Sequence, residues 1–399
     1  SMQDNLRTVN VGLIGLGTVG GGVARVLEED RAAIAARLGE EISLKRILVR
    51  HFRESPWRDR MTDRLEDITE DPEIAVAVEV IGGVDAAYDY TRRCLISGKH
   101  VATANKQLVA ERGRELLELA EAHNVQYLFE ASVGGGIPLL HPLVNCLGAN
   151  EIQEVCGILN GTTNYILTQM TENGESFGTA LKAAQEKGYA EADPTADVAG
   201  IDAGRKTCIL ADLAFGHETP PEKVPMEGIT ALDLRDVAIA RQAGFRVKLL
   251  GRTLRLPEGG YAAYVAPHLI PEGKPMAHVS GVFNAAVIRG SAVGETMFYG
   301  PGAGAYPTAS ACVSDVMNVL AGPAPFRFRW EAPEGLRDAG EVVSRWYLRT
   351  DADAPAVRAA FPQAEALTEG AFLTGPLTGF ALEERCRSLP VLARYRVLD

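Results

Sequence analysis

The chain has 399 residues, 46% hydrophobic and 23% charged, the make-up of a soluble globular protein of two or three domains. A formal net charge of -12 argues against nucleic acid as the main partner, and no apolar run approaches the roughly 20 residues that span a bilayer. The N-terminus carries no signal-peptide pattern, and six dispersed cysteines (Cys94, Cys146, Cys156, Cys208, Cys312, Cys386) form no C-x-x-C pair. They read as reduced, mostly buried thiols of a cytoplasmic protein.

The first predicted element is the apolar β-type run Val9 to Ile14, followed by G-x-G-x-x-G from Gly15 to Gly20 and a helical pattern. Gly15 permits the tight turn, Gly17 lets backbone approach a pyrophosphate, and Gly20 lets helix and strand pack closely. In this strand–turn–helix context the motif reads as a dinucleotide site. The second strand, "ISLKRILVRHF", ends without an acid for a ribose hydroxyl and instead offers Arg50, which suits the 2′-phosphate of NADP. "EIAVAVEVIGG" and "HVATANK" read as further strands alternating with helices, hence a parallel sheet built from βαβ units.

"FEASVGGGIP", Phe129 to Pro138, supports two readings. Its glycine turn exposes carbonyl oxygens that a hard cation wants, or it is a tight crossover in which Glu130 caps backbone N–H groups. "NGTTN", Asn160 to Asn164, either caps the helix beginning near Tyr165 or contacts substrate or the nicotinamide. "GYAEADPTADVAGIDAGRK", Gly188 to Lys206, holds four carboxylates and too few large apolar residues for a core. Asp202 and Lys206, four apart, share a helix face; they form either a surface salt bridge or an acid–lysine pair that works on a substrate. "GPGAGAYPTASACVSDVM" places a glycine turn before another helix, and the histidines show no metal-ligand spacing.

Taken in order with "LVR", "EVIGG" and "TANK", these stretches resemble homoserine dehydrogenases from about Val9 to Leu320. The resemblance implies reversible, NAD(P)-dependent interconversion of L-homoserine and L-aspartate 4-semialdehyde, a step toward threonine, methionine and isoleucine. It implies Lys206 and Lys106 as catalytic residues, and Glu191 and Asp202 as substrate ligands. Gly15, Gly17, Thr18, Val19, Gly20, Arg50, Thr103, Lys106, Gly188 and Gly302 are the implied cofactor residues. A sodium or potassium ion would sit on Glu130 and the carbonyls of Val133, Gly135 and Ile137. The expected cofactor is NADP(H), with NAD(H) as the alternative, and the expected assembly is a homodimer or homotetramer.

The implied fold is α/β: a Rossmann-type nucleotide-binding domain (1–150), an α/β or α+β substrate and dimerisation domain (151–300), a return segment and linker (301–330), and a small ACT-like α+β tail (331–399). In the tail, "WYLRT" and "LARYRVL" alternate like strands and "GFALEERCRSLP" reads as a helix. The tail lacks the glycine of the family's Asp-x-Pro-Gly turn, which leaves threonine binding open. Two other functions compete. Aspartate-semialdehyde dehydrogenase needs an activated cysteine, whereas Cys146 in "VNCLG" and Cys156 in "EVCGIL" read as packed positions without an activating neighbour. A non-catalytic NADP(H) sensor would not need Glu191, Asp202, Lys206 and Lys106.

Overall fold

The computed structural model describes residues 5–399 apart from 325 and 369, and divides into two compact units. The first comprises the chain up to Asn150 with Asp212–Glu218 and Gly300–Ala332. Its strands are β1 (Thr8–Ile14), β2 (Glu41–Leu48), β3 (Met61–Thr62), β4 (Ile74–Glu79), β5 (His100–Thr103) and β6 (Tyr127–Leu128). They form one sheet in the order β3-β2-β1-β4-β5-β6, and every pair is parallel. Val11, Leu13, Ile14, Val76, Ala77 and Val78 are fully or almost fully buried, as strands covered on both faces require. Strand order reverses between β1 and β4, so the crevice for a ligand opens at their carboxyl ends. The segment near 328–330, punctuated by proline and glycine in sequence, buries Phe328 and Trp330 against Phe129.

The second unit holds Glu151–Ala211, Thr219–Tyr299 and Pro333–Asp399. Its strands are β7 (Ile152–Ile158), β8 (Phe245–Arg255), β9 (Tyr261–Pro271), β10 (Phe283–Gly290), β11 (Gly294–Pro301), β12 (Val343–Thr350), β13 (Glu365–Thr368), β14 (Ala371–Leu373), β15 (Leu377–Thr378) and β16 (Val391–Val397). The sheet runs β11-β10-β7-β8-β9-β16-β12-β14-β13, with β15 paired to β12. Leu159 and Thr207 both press on Gly251 of β8, which places helix Ile201–Phe215 against this face of the sheet.

Residues 333–399 do not stand apart from that sheet. β16 pairs in parallel with β9 (Arg396↔His268, Val397↔Leu269), and β12 pairs antiparallel with β16. Tyr347 and Arg349 of β12 also donate to Asp236 on helix Leu234–Gln242. Asp353 caps helix Ala354–Ala360 by accepting from Ala356 N at 2.9 Å, where the expected glycine is missing.

Candidate active site

At the end of β1, Gly15 adopts φ +100°, and a side chain there would strike Ile81. A Cβ on Gly20 would run into the Gly15 carbonyl, whereas one on Gly17 would meet nothing within 4 Å. Gly17 is the N-cap of helix Thr18–Glu29 and supplies no capping side chain, so the first N–H groups await another acceptor. Thr18 is exposed, and Val19 is half-buried beside it. The glycine turn borders a groove of about 550 Å³ whose lining includes Gly15, Gly17, Arg50, Arg53, Ile81 and Gly82. Arg53 donates to the carbonyl of Leu16 in the glycine turn. Uncapped N–H groups, an open Gly17 and two guanidiniums fit a dinucleotide phosphate chain.

The rim of the groove is fixed by a carboxylate that local patterning did not single out. Glu79, at the end of β4, is fully buried. It accepts from Ile81 N at 2.9 Å, Asn105 Nδ2 at 3.0 Å and Thr103 Oγ1 at 3.1 Å, and burial pushes its carboxyl pKa up. Thr103 is fully buried, and its hydroxyl is engaged with Glu79 and with Asn105 N (2.9 Å). Asn105 caps helix Lys106–Ala122, and its amide also reaches the carbonyl of Gly83 at 2.7 Å. Lys106 is therefore the first residue of that helix, half-buried. A cation at the positive end of a helix dipole loses about 0.3–1 kcal/mol, so helix stability does not account for it.

In the second unit the structure joins Asp202 and Lys206. Lys206 Nζ donates to Asp202 Oδ2 at 2.9 Å and to the carbonyl of Leu159 at 2.7 Å. The two residues are only 4% and 8% exposed, so this is not a surface pair. Asn160 Nδ2 donates to Asp202 Oδ2 at 2.9 Å and to Asp197 Oδ1 at 2.7 Å. Its Oδ1 caps helix Gly161–Asn173 through Thr163 N at 2.8 Å. An ammonium beside a carboxylate and a carbonyl can hold or transfer a proton at a substrate oxygen. Glu191 is exposed, and its carboxylate is not brought to this cluster. Gly188, with φ +78°, is exposed on the same loop.

The turn after β6 has the capping geometry. Glu130 accepts from the N–H groups of Leu139 (3.2 Å), Leu140 (2.7 Å) and His141 (3.2 Å). Burial and the adjacent Asp315 push its carboxyl up to about 7. Val133, Gly135 and Ile137 follow on the same turn, where a Cβ on Gly135 would collide with the Gly302 carbonyl. Gly302 is buried. Of the cysteines, Cys94, Cys156, Cys208 and Cys312 are buried and Cys386 is partly so. Burial pushes the Cys156 thiol up to about 12, the opposite of an activated nucleophile. Cys146 departs from the packed position expected for it: it ends the π-helical turn Pro142–Cys146 and is exposed.

A family model described as homoserine dehydrogenase matches residues 138–317, and one described as homoserine dehydrogenase, NAD binding domain, matches 15–130. The chain is 44% identical over 361 residues to the homoserine dehydrogenase of Neisseria gonorrhoeae, covering 87% of this chain and 82% of that one. It is 40% identical over 369 residues to that of Mycobacterium leprae (89% and 83%). The crystal structure of a homoserine dehydrogenase from Thiobacillus denitrificans superposes with a TM-score of 0.92 at 37% identity, covering 99% of each chain. A hyperthermophilic archaeal homoserine dehydrogenase in complex with NADPH matches at TM-score 0.67 and 27% identity, over 79% of this chain and 99% of that one. Neither the sensor nor the aspartate-semialdehyde dehydrogenase reading is favoured by these matches. The chain belongs to the homoserine dehydrogenase family, pyridine-nucleotide oxidoreductases that interconvert L-homoserine and L-aspartate 4-semialdehyde.

Proposed function

We propose that this enzyme prefers NADP(H) over NAD(H) and moves the substrate proton with Lys206. The observation that carries the proposal is the buried pair Asp202–Lys206, tied to Leu159 and Asn160. When bound, the nicotinamide supplies or accepts the hydride. Asp202 takes the ammonium of homoserine, and Glu191, on the exposed loop, is assigned to the substrate as well. A substrate ammonium on Asp202 competes with Lys206 for that carboxylate and lowers the proton affinity of the lysine, so Lys206 can accept the hydroxyl proton. In reduction the protonated Lys206 polarises the aldehyde and returns the proton to the forming alkoxide. Lys106 is assigned a share of this proton handling.

For the cofactor, the assigned residues are Gly15, Gly17, Thr18, Val19 and Gly20 at the phosphates and Arg50 at the 2′-phosphate. Thr103, Gly188 and Gly302 complete the assignment; Thr103 acts through its hold on Glu79. A sodium or potassium ion on Glu130 and the carbonyls of Val133, Gly135 and Ile137 would have an all-oxygen site and a structural part only. Glu130 already caps three N–H groups, so no proton or hydride step is routed through an ion. We also assign the enzyme to the cytoplasm as a homodimer or homotetramer. Exposed Phe283, Val293, Met297 and Tyr299, on or beside edge strand β11, support self-association. No helix among the described residues is long and apolar enough to cross a membrane.

Nicotinamide absorbance with L-homoserine, run with NADP⁺ and NAD⁺ in parallel, tests the cofactor assignment. The expected result is L-homoserine-dependent reduction with a higher kcat/KM for NADP⁺. Equal or NAD⁺-favouring values would remove the role given to Arg50.

A further inference from the structure

We propose that Asn160 is a positioning residue for catalysis, whose amide clamps two carboxylates and thereby sets the pose of Lys206; this rests on the role of Lys206 proposed above. The orientation of the amide follows from its neighbours. Oδ1 faces two donors, Thr163 N at 2.8 Å and Thr163 Oγ1 at 2.9 Å. Nδ2 faces two acceptors, Asp197 Oδ1 at 2.7 Å and Asp202 Oδ2 at 2.9 Å. Turning the amide over would set an oxygen against both carboxylates and an NH₂ against an N–H, so only this arrangement satisfies all four contacts.

The clamp has a rigid base. Asn160 is 6% exposed and stands two residues past the end of β7, with extended φ −131° and ψ 122°. A Cβ on the next residue, Gly161, would approach the Val282 carbonyl to 2.7 Å, so the helix start is pressed against the turn that leads into β10. Asn164, one turn on, donates to the Val279 carbonyl at 3.0 Å. The neighbouring Leu159 carbonyl takes the Lys206 ammonium. Two consecutive residues at one strand end therefore hold both members of the Asp202–Lys206 pair. An ordinary i, i+4 pair on a helix keeps its freedom to swing; this one is fixed in place.

Residue chemistry narrows what can occupy the position. Serine would cap the helix, yet it has no second donor arm for the carboxylates. Aspartate would cap as well as asparagine and would put a third carboxylate against Asp197 and Asp202. Asparagine alone combines the capping oxygen with a two-proton donor. The role is positional, since Asn160 acts on the reaction through Asp202 and Lys206.

Asn160→Ser separates capping from clamping. In the full-length enzyme its thermal midpoint and its affinity for NADPH, read from nicotinamide fluorescence, should stay near wild type. Its kcat/KM for L-homoserine should fall roughly 10–100-fold, mostly in kcat, the scale of losing a hydrogen bond to a charged group. Wild-type kcat/KM in a folded Asn160→Ser protein would overturn the inference. Where Asn160→Ser unfolds, Asn160→Asp decides: it retains the cap, and undiminished turnover in it would equally overturn the clamp. Lys206→Ala is run alongside. Full activity there would remove the reading beneath the inference, and the inference with it; loss there with a fully active Asn160→Ser would remove the clamp alone.

Discussion

Asp236→Asn tests how the C-terminal segment is held to the second unit. Asp236 Oδ1 accepts from Tyr347 Oη at 2.6 Å and Arg349 Nε at 2.7 Å, and its Oδ2 accepts from Arg349 Nη2 at 3.1 Å. The Asp236 side chain is 1% exposed and that of Arg349 13%, so the ion pair is shielded from water. Asparagine keeps the shape and one oxygen. Its NH₂ then faces a guanidinium N–H, and Arg349 is left with Asp233, at 3.6 Å, as a more distant counter-charge. Removing one partner of a buried pair costs about 3–5 kcal/mol. For a unit of this size that lowers the unfolding midpoint by roughly 6–20 °C, at about 2–4 °C per kcal/mol.

Differential scanning calorimetry would read the midpoint, and hydrogen exchange would show whether β12 and β16 lose protection first. Asp236→Leu combined with Arg349→Met and Tyr347→Phe should recover most of the loss, because the apolar set leaves neither a desolvated charge nor a buried hydroxyl without an acceptor. The Asp202–Lys206 cluster shares no residue with this contact, so turnover at low temperature should be kept. A midpoint for Asp236→Asn within about 2 °C of wild type would refute the reasoning, since it rests on the pair being buried and on Asp233 being too distant to replace it.

Lys206→Ala should lower kcat by roughly 10²–10⁴ while NADPH still binds, the range for losing a proton-transfer group; near-normal kcat would take Lys206 out of the mechanism. Arg50→Asp should shift the kcat/KM ratio from NADP⁺ toward NAD⁺, and an unmoved ratio would leave the 2′-phosphate contact to Arg53, which lines the same groove. His268 is fully buried; Tyr264 Oη lies 2.9 Å from its Nε2, and the Ala266 carbonyl 2.8 Å from its Nδ1. Burial, with Arg252, holds its pKa well below the usual histidine range. Since the folded value is depressed, its contribution is whole above the unfolded pKa of about 6.5. It is lost as pH falls below that, by up to about 1.4 kcal/mol per pH unit. Buried carboxyls with raised pKa values, Glu130 among them, slope the other way over this range. The His268 contribution is therefore read as the difference between wild type and His268→Gln in chemical denaturation from pH 7 to 5; an equal slope in the variant would place the acid sensitivity elsewhere.

How much of this was legible depended on the range of the interaction. The glycine turn could be read because Gly15, Gly17 and Gly20 answer to one local backbone problem. Asp202 and Lys206 could be read because four residues are one helical turn, although their burial could not. Glu79 gave no signal: a single acid closing an apolar strand looks like a solvated strand end, and its donors arrive from Thr103 and Asn105 on the next strand–helix turn. The tail strands were visible as alternation, but the parallel pairing of β16 with β9 joins positions more than 120 residues apart, which no local pattern encodes. Cys146 misled for a related reason. Its setting in "VNCLG" suggests packing, while the π-helical turn Pro142–Cys146 leaves it facing out.

The two asparagines that stand just past strands, Asn105 in "TANK" and Asn160 in "NGTTN", solve one problem twice. Each stands between a strand and a helix and caps that helix through Oδ1, Asn105 to Leu108 N at 3.0 Å and Asn160 to Thr163 N at 2.8 Å. Each then turns Nδ2 onto a buried carboxylate, Glu79 in one unit and Asp202 in the other. A cap alone would accept serine or aspartate about equally well. The second contact requires a donor, and asparagine is the capping residue that carries an NH₂ beside its accepting oxygen. The carboxylates in turn shape what the reaction uses: Glu79 holds the backbone of Ile81 at the nucleotide groove, and Asp202 holds Lys206. A helix start is the stiffest place from which a short side chain can reach, because capping removes the freedom that an asparagine in a loop would keep. That is why both motifs place the asparagine one position ahead of the helix, and why replacing either with a residue that only caps should cost function before it costs the fold.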